Sequence, residues 1–126
     1  MGPPPPVLEV YYSPACAPCQ LELPSIVEFI RLDGGRVRIL ILDQARRARD
    51  ELQGASPALA AVAVVATVPN ERAVLRAGGD ADGLLPYARA IASDGKVCSS
   101  WRGDLTLERA RMLVNACLNA PNKRRS

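Results

Sequence analysis

The patterned part of the chain opens with a short, nearly unbroken apolar run from Val7 to Tyr12, interrupted by Glu9 alone. A run that short and that rich in β-formers predicts a strand interior to a sheet. Ser13, Pro14 and Ala15 make the turn out of it. Apolar positions then recur at helical spacing. Leu21, Ile26, Phe29, Ile30 and Leu32 stripe a helix over 20–32 that begins near Cys16. Pro24 falls inside it, removes a backbone donor and predicts a kink. Gly34 and Gly35 end it. A second strand follows at 37–42, then a short charged helix at 44–53 that stops at Gly54. Over 60–67, Val62, Val64 and Val65 favour a buried strand while the neighbouring alanines suit a helix; the valines decide for a strand. Asn70 caps a helix over 70–77 that Gly78 and Gly79 terminate, and 80–85 is loop. Alternation over 86–92, a turn at Ser93, Asp94 and Gly95, and alternation over 96–101 make a hairpin. Gly103 breaks the chain. Asp104 or Thr106 then caps a last helix to Leu118, with Leu107, Ala110, Val114 and Cys117 on one face. The order β-α-β-α-β-α-β-β-α predicts an α/β three-layer sandwich on a central mixed sheet.

Composition narrows the function. The 126 residues suffice for one domain with a real core, and 48% apolar residues make it globular. That domain is expected over 7–118, after a linker stub at 1–6 formed by a proline run and before a basic tail at 119–126. A net charge of +3 with scattered basic residues and 4% aromatics gives no nucleic-acid surface. The tail cluster Lys123, Arg124 and Arg125 reads as a solvated end. No histidine occurs, which removes His-assisted nucleophiles, His metal sites and imidazole acid–base catalysis. The longest apolar run, 58–68, is core and far short of a bilayer span. Met1 and Gly2 lead directly into prolines with no charged or apolar leader region. The proline run suits a chain whose leader or anchor has been removed, yet the residues are equally compatible with the cytosol.

The chemistry lies in Cys16, Ala17, Pro18 and Cys19, at the junction of the first strand and its helix. Thiols three apart on a first helical turn share one face, so their sulfurs bond or part without backbone movement. Unpaired N–H groups and the positive end of the helix stabilise a thiolate there. This is a site for thiol–disulfide exchange. An inert bridge or half a zinc site are the plainer readings; zinc would need Cys98 and Cys117, which are far apart in sequence. Those two read as small core residues, with a second disulfide as the lesser alternative. A rival from another class holds a soft ion such as Cu(I) on the thiol pair. It is weakened by the lack of histidine and by methionines placed only at Met1 and Met112. A third reading is a docking domain without turnover.

The motif after the first strand, Pro24 five residues past Cys19, and a late hairpin opening at Leu85, Pro86 and Tyr87 together resemble the thioredoxin fold. The run from Cys16 to Pro24 is most similar to the TlpA-like branch of extracytoplasmic thiol–disulfide oxidoreductases. The segments Tyr12 to Cys16, Leu85 to Ala88 and Asp94 to Lys96 are also similar to the methylamine-dehydrogenase accessory proteins of that branch. The resemblance spans 7–118, and the strand and helix between Gln44 and Ala77 match an insertion these branches carry. It implies that Cys16 is the exposed attacking thiolate and Cys19 the buried resolving thiol. Pro86 would follow a cis bond beside the sulfurs, Leu85 would offer backbone to an extended substrate, and Ala17 and Pro18 would support the site from between the cysteines. It implies a reductase more than an oxidant, needing no bound cofactor and reset by an external redox partner. The substrates would be cysteine-containing proteins. The chain would act as a monomer in the periplasm, the full-length protein being membrane-anchored. Ala15 departs from relatives with tryptophan there. For the buried carboxylate that assists the resolving thiol, Asp43 and Glu22 are the candidates, and both read as solvated surface groups.

Overall fold

A computed structural model describes residues 4–67, 71–80 and 82–119. Its strands are β1 (Val7–Tyr12), β2 (Arg36–Ile41), β3 (Ala63–Val65), β4 (Tyr87–Ile91) and β5 (Val97–Arg102). They form one mixed sheet in the order β3-β2-β1-β4-β5. β1 is parallel to β2, with Tyr12 opposite Ile41, and antiparallel to β4, with Tyr11 opposite Tyr87. Its central place explains why it carries so few polar residues.

The helices are α1 (Ala17–Leu21), α2 (Leu23–Asp33), α3 (Ala45–Ala55), α4 (Pro57–Ala61), α5 (Glu71–Ala77) and α6 (Leu107–Asn119). Alternation along β1 sends Leu8, Val10 and Tyr12 to one face, where Ile26, Phe29, Leu52, Leu59 and Leu113 complete the main core. The opposite face carries Tyr11, Leu42 and Tyr87 under Val74 and Leu75 of α5. The layers are therefore three and unequal. Below α5, on that same face, Glu9 is 5% exposed and accepts from Tyr11 Oη at 2.8 Å, Arg89 Nε at 2.8 Å and Arg38 at 2.7 and 3.0 Å. Burial pushes its carboxyl up, but these hydrogen bonds outweigh that and hold it below the usual value.

Several boundaries differ from the sequence pattern, each for a local reason. The helix expected over 20–32 is two helices meeting at Glu22, with Pro24 in the first turn of α2, where its missing N–H costs nothing. Gly34 closes α2 in the left-handed conformation at φ 61°. The charged helix runs through Gly54 to Ala55. Ser56 then caps α4 through a hydrogen bond from the Ala58 N–H, so the alanines around 60 are helical and the strand shrinks to three residues. Val64 and Val65 are 41% and 42% exposed, because β3 is an edge and not a buried strand. The last helix has Thr106 as its cap, its Oγ1 accepting from Arg109 N–H at 3.0 Å. Trp101 packs beside Gly103, with the Arg109 guanidinium 3.8 Å from its ring centroid. No helix among the described residues is long and apolar enough to cross a membrane. Asn70, the end of the 58–68 run and the basic tail lie outside the described residues.

Candidate active site

Cys16 and Cys19 are joined by a disulfide, with Cα atoms 5.2 Å apart. The turn that delivers them is held by Ser13, whose carbonyl accepts the Cys16 N–H at 3.0 Å. The Ser13 hydroxyl accepts from Ala15 N–H at 3.1 Å and donates to Asp43 at 2.7 Å. Cys16 is the N-cap of α1, in extended conformation, and its sulfur accepts the Cys19 N–H at 3.1 Å. Ala17 and Pro18 fill the first two helical positions, where proline is pre-organised, and both are exposed. Cys16 is half-buried and Cys19 fully buried. α1 is only five residues long, so the stabilisation available to a Cys16 thiolate comes from nearby N–H donors more than from a long aligned helix.

The Leu85–Pro86 peptide bond is cis. The β1–β4 register puts Pro86 level with Tyr12, at the sheet edge where the cysteine turn begins. The Pro86 carbonyl accepts from Gly103 N–H at 3.1 Å. The loop leading to it is pinned by Asp80, 4% exposed, whose carboxylate accepts the Leu84 N–H at 3.0 Å. Leu85 packs against both cores. Exposed apolar groups lie on these same elements: Leu21 at the end of α1, 80% exposed, and Leu84 before Leu85, 46% exposed.

Glu22 corrects the sequence reading. It is 5% exposed, not solvated, and accepts the Leu105 N–H at 3.2 Å. Burial raises its carboxyl to about 8, with Asp104 adding to the rise and the Leu105 hydrogen bond opposing it. It sits three residues past Cys19, on the buried stripe of Cys19, Leu23 and Ile26. That stripe was the available signal, since a helical face drawn through Cys19 includes position 22. Asp43, half-buried, is engaged with Ser13 instead.

The sequence reading missed a second set of supports. Glu51 of α3 accepts from the Tyr12 hydroxyl and from Gln20 Nε2 at 3.1 Å, and Gln20 Nε2 also reaches the Pro14 carbonyl at 3.1 Å. Burial raises the Glu51 carboxyl, but hydrogen bonds from Tyr12, Gln20 and Arg47 leave it below the ordinary value. Among the described residues, no group of three or more His, Cys, Asp or Glu side chains is arranged to hold a metal.

No family model and no curated protein sequence matches the chain. Solved structures do. A thioredoxin-related protein from Neisseria meningitidis serogroup B superposes with TM-score 0.72 at 19% identity, covering 90% of this chain and 85% of that one. A thiol:disulfide interchange protein of the thioredoxin family from Chlorobium tepidum gives 0.71 at 15% identity over 91% and 81%. A secreted thiol-disulfide isomerase from Corynebacterium glutamicum gives 0.68 at 14% identity over 91% and 72%. With a mixed five-stranded sheet flanked by helices, a disulfide at the start of the first helix and a cis proline level with the end of the first strand, this chain has the thioredoxin fold.

Proposed function

We propose that the chain is a thiol–disulfide oxidoreductase acting on cysteines of other proteins, with Cys16 as nucleophile and Cys19 as resolving thiol. The observation that carries this is the half-buried Cys16 sulfur receiving the Cys19 N–H at 3.1 Å, above a fully buried Cys19. In the reducing direction the Cys16 thiolate attacks one sulfur of a substrate disulfide. The substrate S–S bond breaks, a mixed disulfide forms and the leaving thiolate takes a proton. Cys19, as thiolate, then attacks Cys16 and expels the second substrate thiolate. Two electrons have passed to the substrate, and Cys16–Cys19 is left oxidised. An external dithiol partner must reset it.

Cys19 is buried and must lose a proton to act. Glu22, three residues on, has its carboxyl raised to about 8, near the range of a thiol, so its ionised form suits a base that takes that proton. The short α1 gives only local stabilisation to the Cys16 thiolate. A weakly stabilised reduced form makes a weak oxidant, which supports the reductase direction. The exposed Ala17, Pro18, Leu21 and Leu84 suit apolar residues flanking a substrate cysteine, with Leu85 offering its backbone. The secreted neighbour supports work outside the cytoplasm.

Cys19→Ser is expected to accumulate covalent adducts with partner proteins, while Cys16→Ser is expected to form none. Reduction of insulin by the wild-type chain with dithiothreitol tests turnover. Equal trapping by both variants, or no acceleration of insulin precipitation, would refute the reading. A strongly negative Cys16–Cys19 potential is expected; a high one would reverse the direction.

A further inference from the structure

Cys98 and Cys117 are bonded, with Cα atoms 5.0 Å apart, although the sequence reads them as separate core residues. The reason is a break in strand alternation. In the β4–β5 ladder Ala90 pairs with Ser99 and Ile91 with Val97, leaving Cys98 as the extra residue of a β-bulge. A bulge re-aims a side chain. Here it lets two consecutive residues face the same helix. The Ser99 hydroxyl donates to the Leu113 carbonyl at 2.8 Å, and Cys98 reaches Cys117 one helical turn further along α6. The strand is thus stitched to α6 at two adjacent turns.

This bond sits in surroundings opposite to those of Cys16–Cys19. Cys16 caps the N-terminus of a helix and accepts an N–H. Cys117 lies in the last turn of α6, 5% exposed, where helix carbonyls and burial both disfavour a thiolate. The Cys98 sulfur lies 3.8 Å from the Lys96 carbonyl oxygen, another partner that favours a neutral thiol. A pair whose thiolates are disfavoured is a poor leaving group and a poor attacker, so its disulfide resists exchange. The segment between the two cysteines also supplies the contacts that reach the candidate site: Gly103 N–H to the Pro86 carbonyl and Leu105 N–H to Glu22.

We propose that Cys98–Cys117 is a permanent structural crosslink, closed once during folding and insulated from exchange at Cys16–Cys19, that braces the Gly103 to Leu105 segment against the active site. Its closure passes two electrons and two protons from the thiols to a protein or small-molecule disulfide, which assigns the folded chain to an oxidising compartment. The assignment holds whichever way Cys16–Cys19 works.

The test is graded reduction of the oxidised chain in dithiothreitol redox buffers, followed by alkylation and peptide mapping. Cys16 and Cys19 should be labelled at a reduced-to-oxidised reagent ratio at least tenfold below that needed for Cys98 and Cys117. Labelling of Cys98 and Cys117 at the same ratio or a lower one overturns the proposal. If insulin is still reduced in that case, the proposed function stands and only the crosslink fails. In the second arm, the Tm of Cys98→Ala/Cys117→Ala should fall by about 10 °C, the size expected for opening a loop of this length. An unchanged Tm counts against a structural role.

Discussion

Glu22 shows how burial can fit one residue for a role that its type alone does not announce. A carboxyl 5% exposed, with a single backbone donor from Leu105, stays protonated at neutral pH because nothing nearby compensates its charge. If its ionised fraction, which grows as pH rises toward 8, takes the Cys19 proton, its loss should slow only the second half of exchange. Glu22→Gln keeps the shape and the acceptor oxygen but cannot take a proton. It is expected to leave the rate of mixed-disulfide formation unchanged and to lengthen the mixed disulfide's lifetime on the order of 10²-fold. Quenched-flow alkylation of a Cys16 adduct reads the two steps separately. Equal slowing of both would show that Glu22 merely supports the fold. The role proposed for Cys16 contrasts with it, since it needs no unusual neighbour, only the Cys19 N–H that the helix start offers.

At the scale of elements, the candidate site is a turn clamped from two sides. On one side α3 reaches over with Glu51, which takes hydrogen bonds from Tyr12 at the end of β1 and from Gln20 just past Cys19. On the other, the segment before α6 holds Pro86 and Glu22. Glu51→Ala should cost about 1–2 kcal/mol in a urea titration, since it removes charge-assisted bonds at a half-buried site. It should also raise protease cleavage near Pro14, while a Glu51→Gln variant retains most of both. How far these clamps were legible depends on range. The strand–cysteine–helix junction, the Leu85–Pro86 loop and the closing hairpin all declare themselves within a few residues, so β1, β2, β4, β5 and α6 were readable to within one or two positions, while α1 and α2 read as one kinked helix. α4 was not, because alanine and valine together fit helix or strand and only Ser56, capping Ala58, decides. The partners of Glu51 lie 31 and 39 residues away, and the Cys98–Cys117 bond depends on a bulge, so no local pattern announces them. Neighbour chemistry is written locally; tertiary contacts are not.

Across the whole molecule, two buried carboxyls on opposite faces of the sheet pull stability in opposite directions with pH. Glu9 is held below the ordinary value of 4.5, so its contribution is present above that value and is lost as pH falls through its lower folded value. Glu22 is raised to about 8 from the same 4.5, so its contribution is complete below pH 4.5 and is lost as pH rises toward 8. With no histidine in the chain and all four cysteines bonded, no other side-chain type ordinarily titrates between these limits. The oxidised protein should therefore be most stable near pH 5 and lose a few kcal/mol on the way to pH 8, measured as the urea midpoint against pH. Glu22→Gln should flatten the alkaline limb and leave the acid limb intact. Glu9→Gln should do the reverse, flattening the acid limb and lowering the whole curve by about 2–4 kcal/mol, since Arg89 and Arg38 then lose their counter-charge. A wild-type curve that stays level from pH 5 to 8 would mean that the Glu22 carboxyl is not raised in the folded state, which would leave it too weak a base to take the proton of the Cys19 thiol.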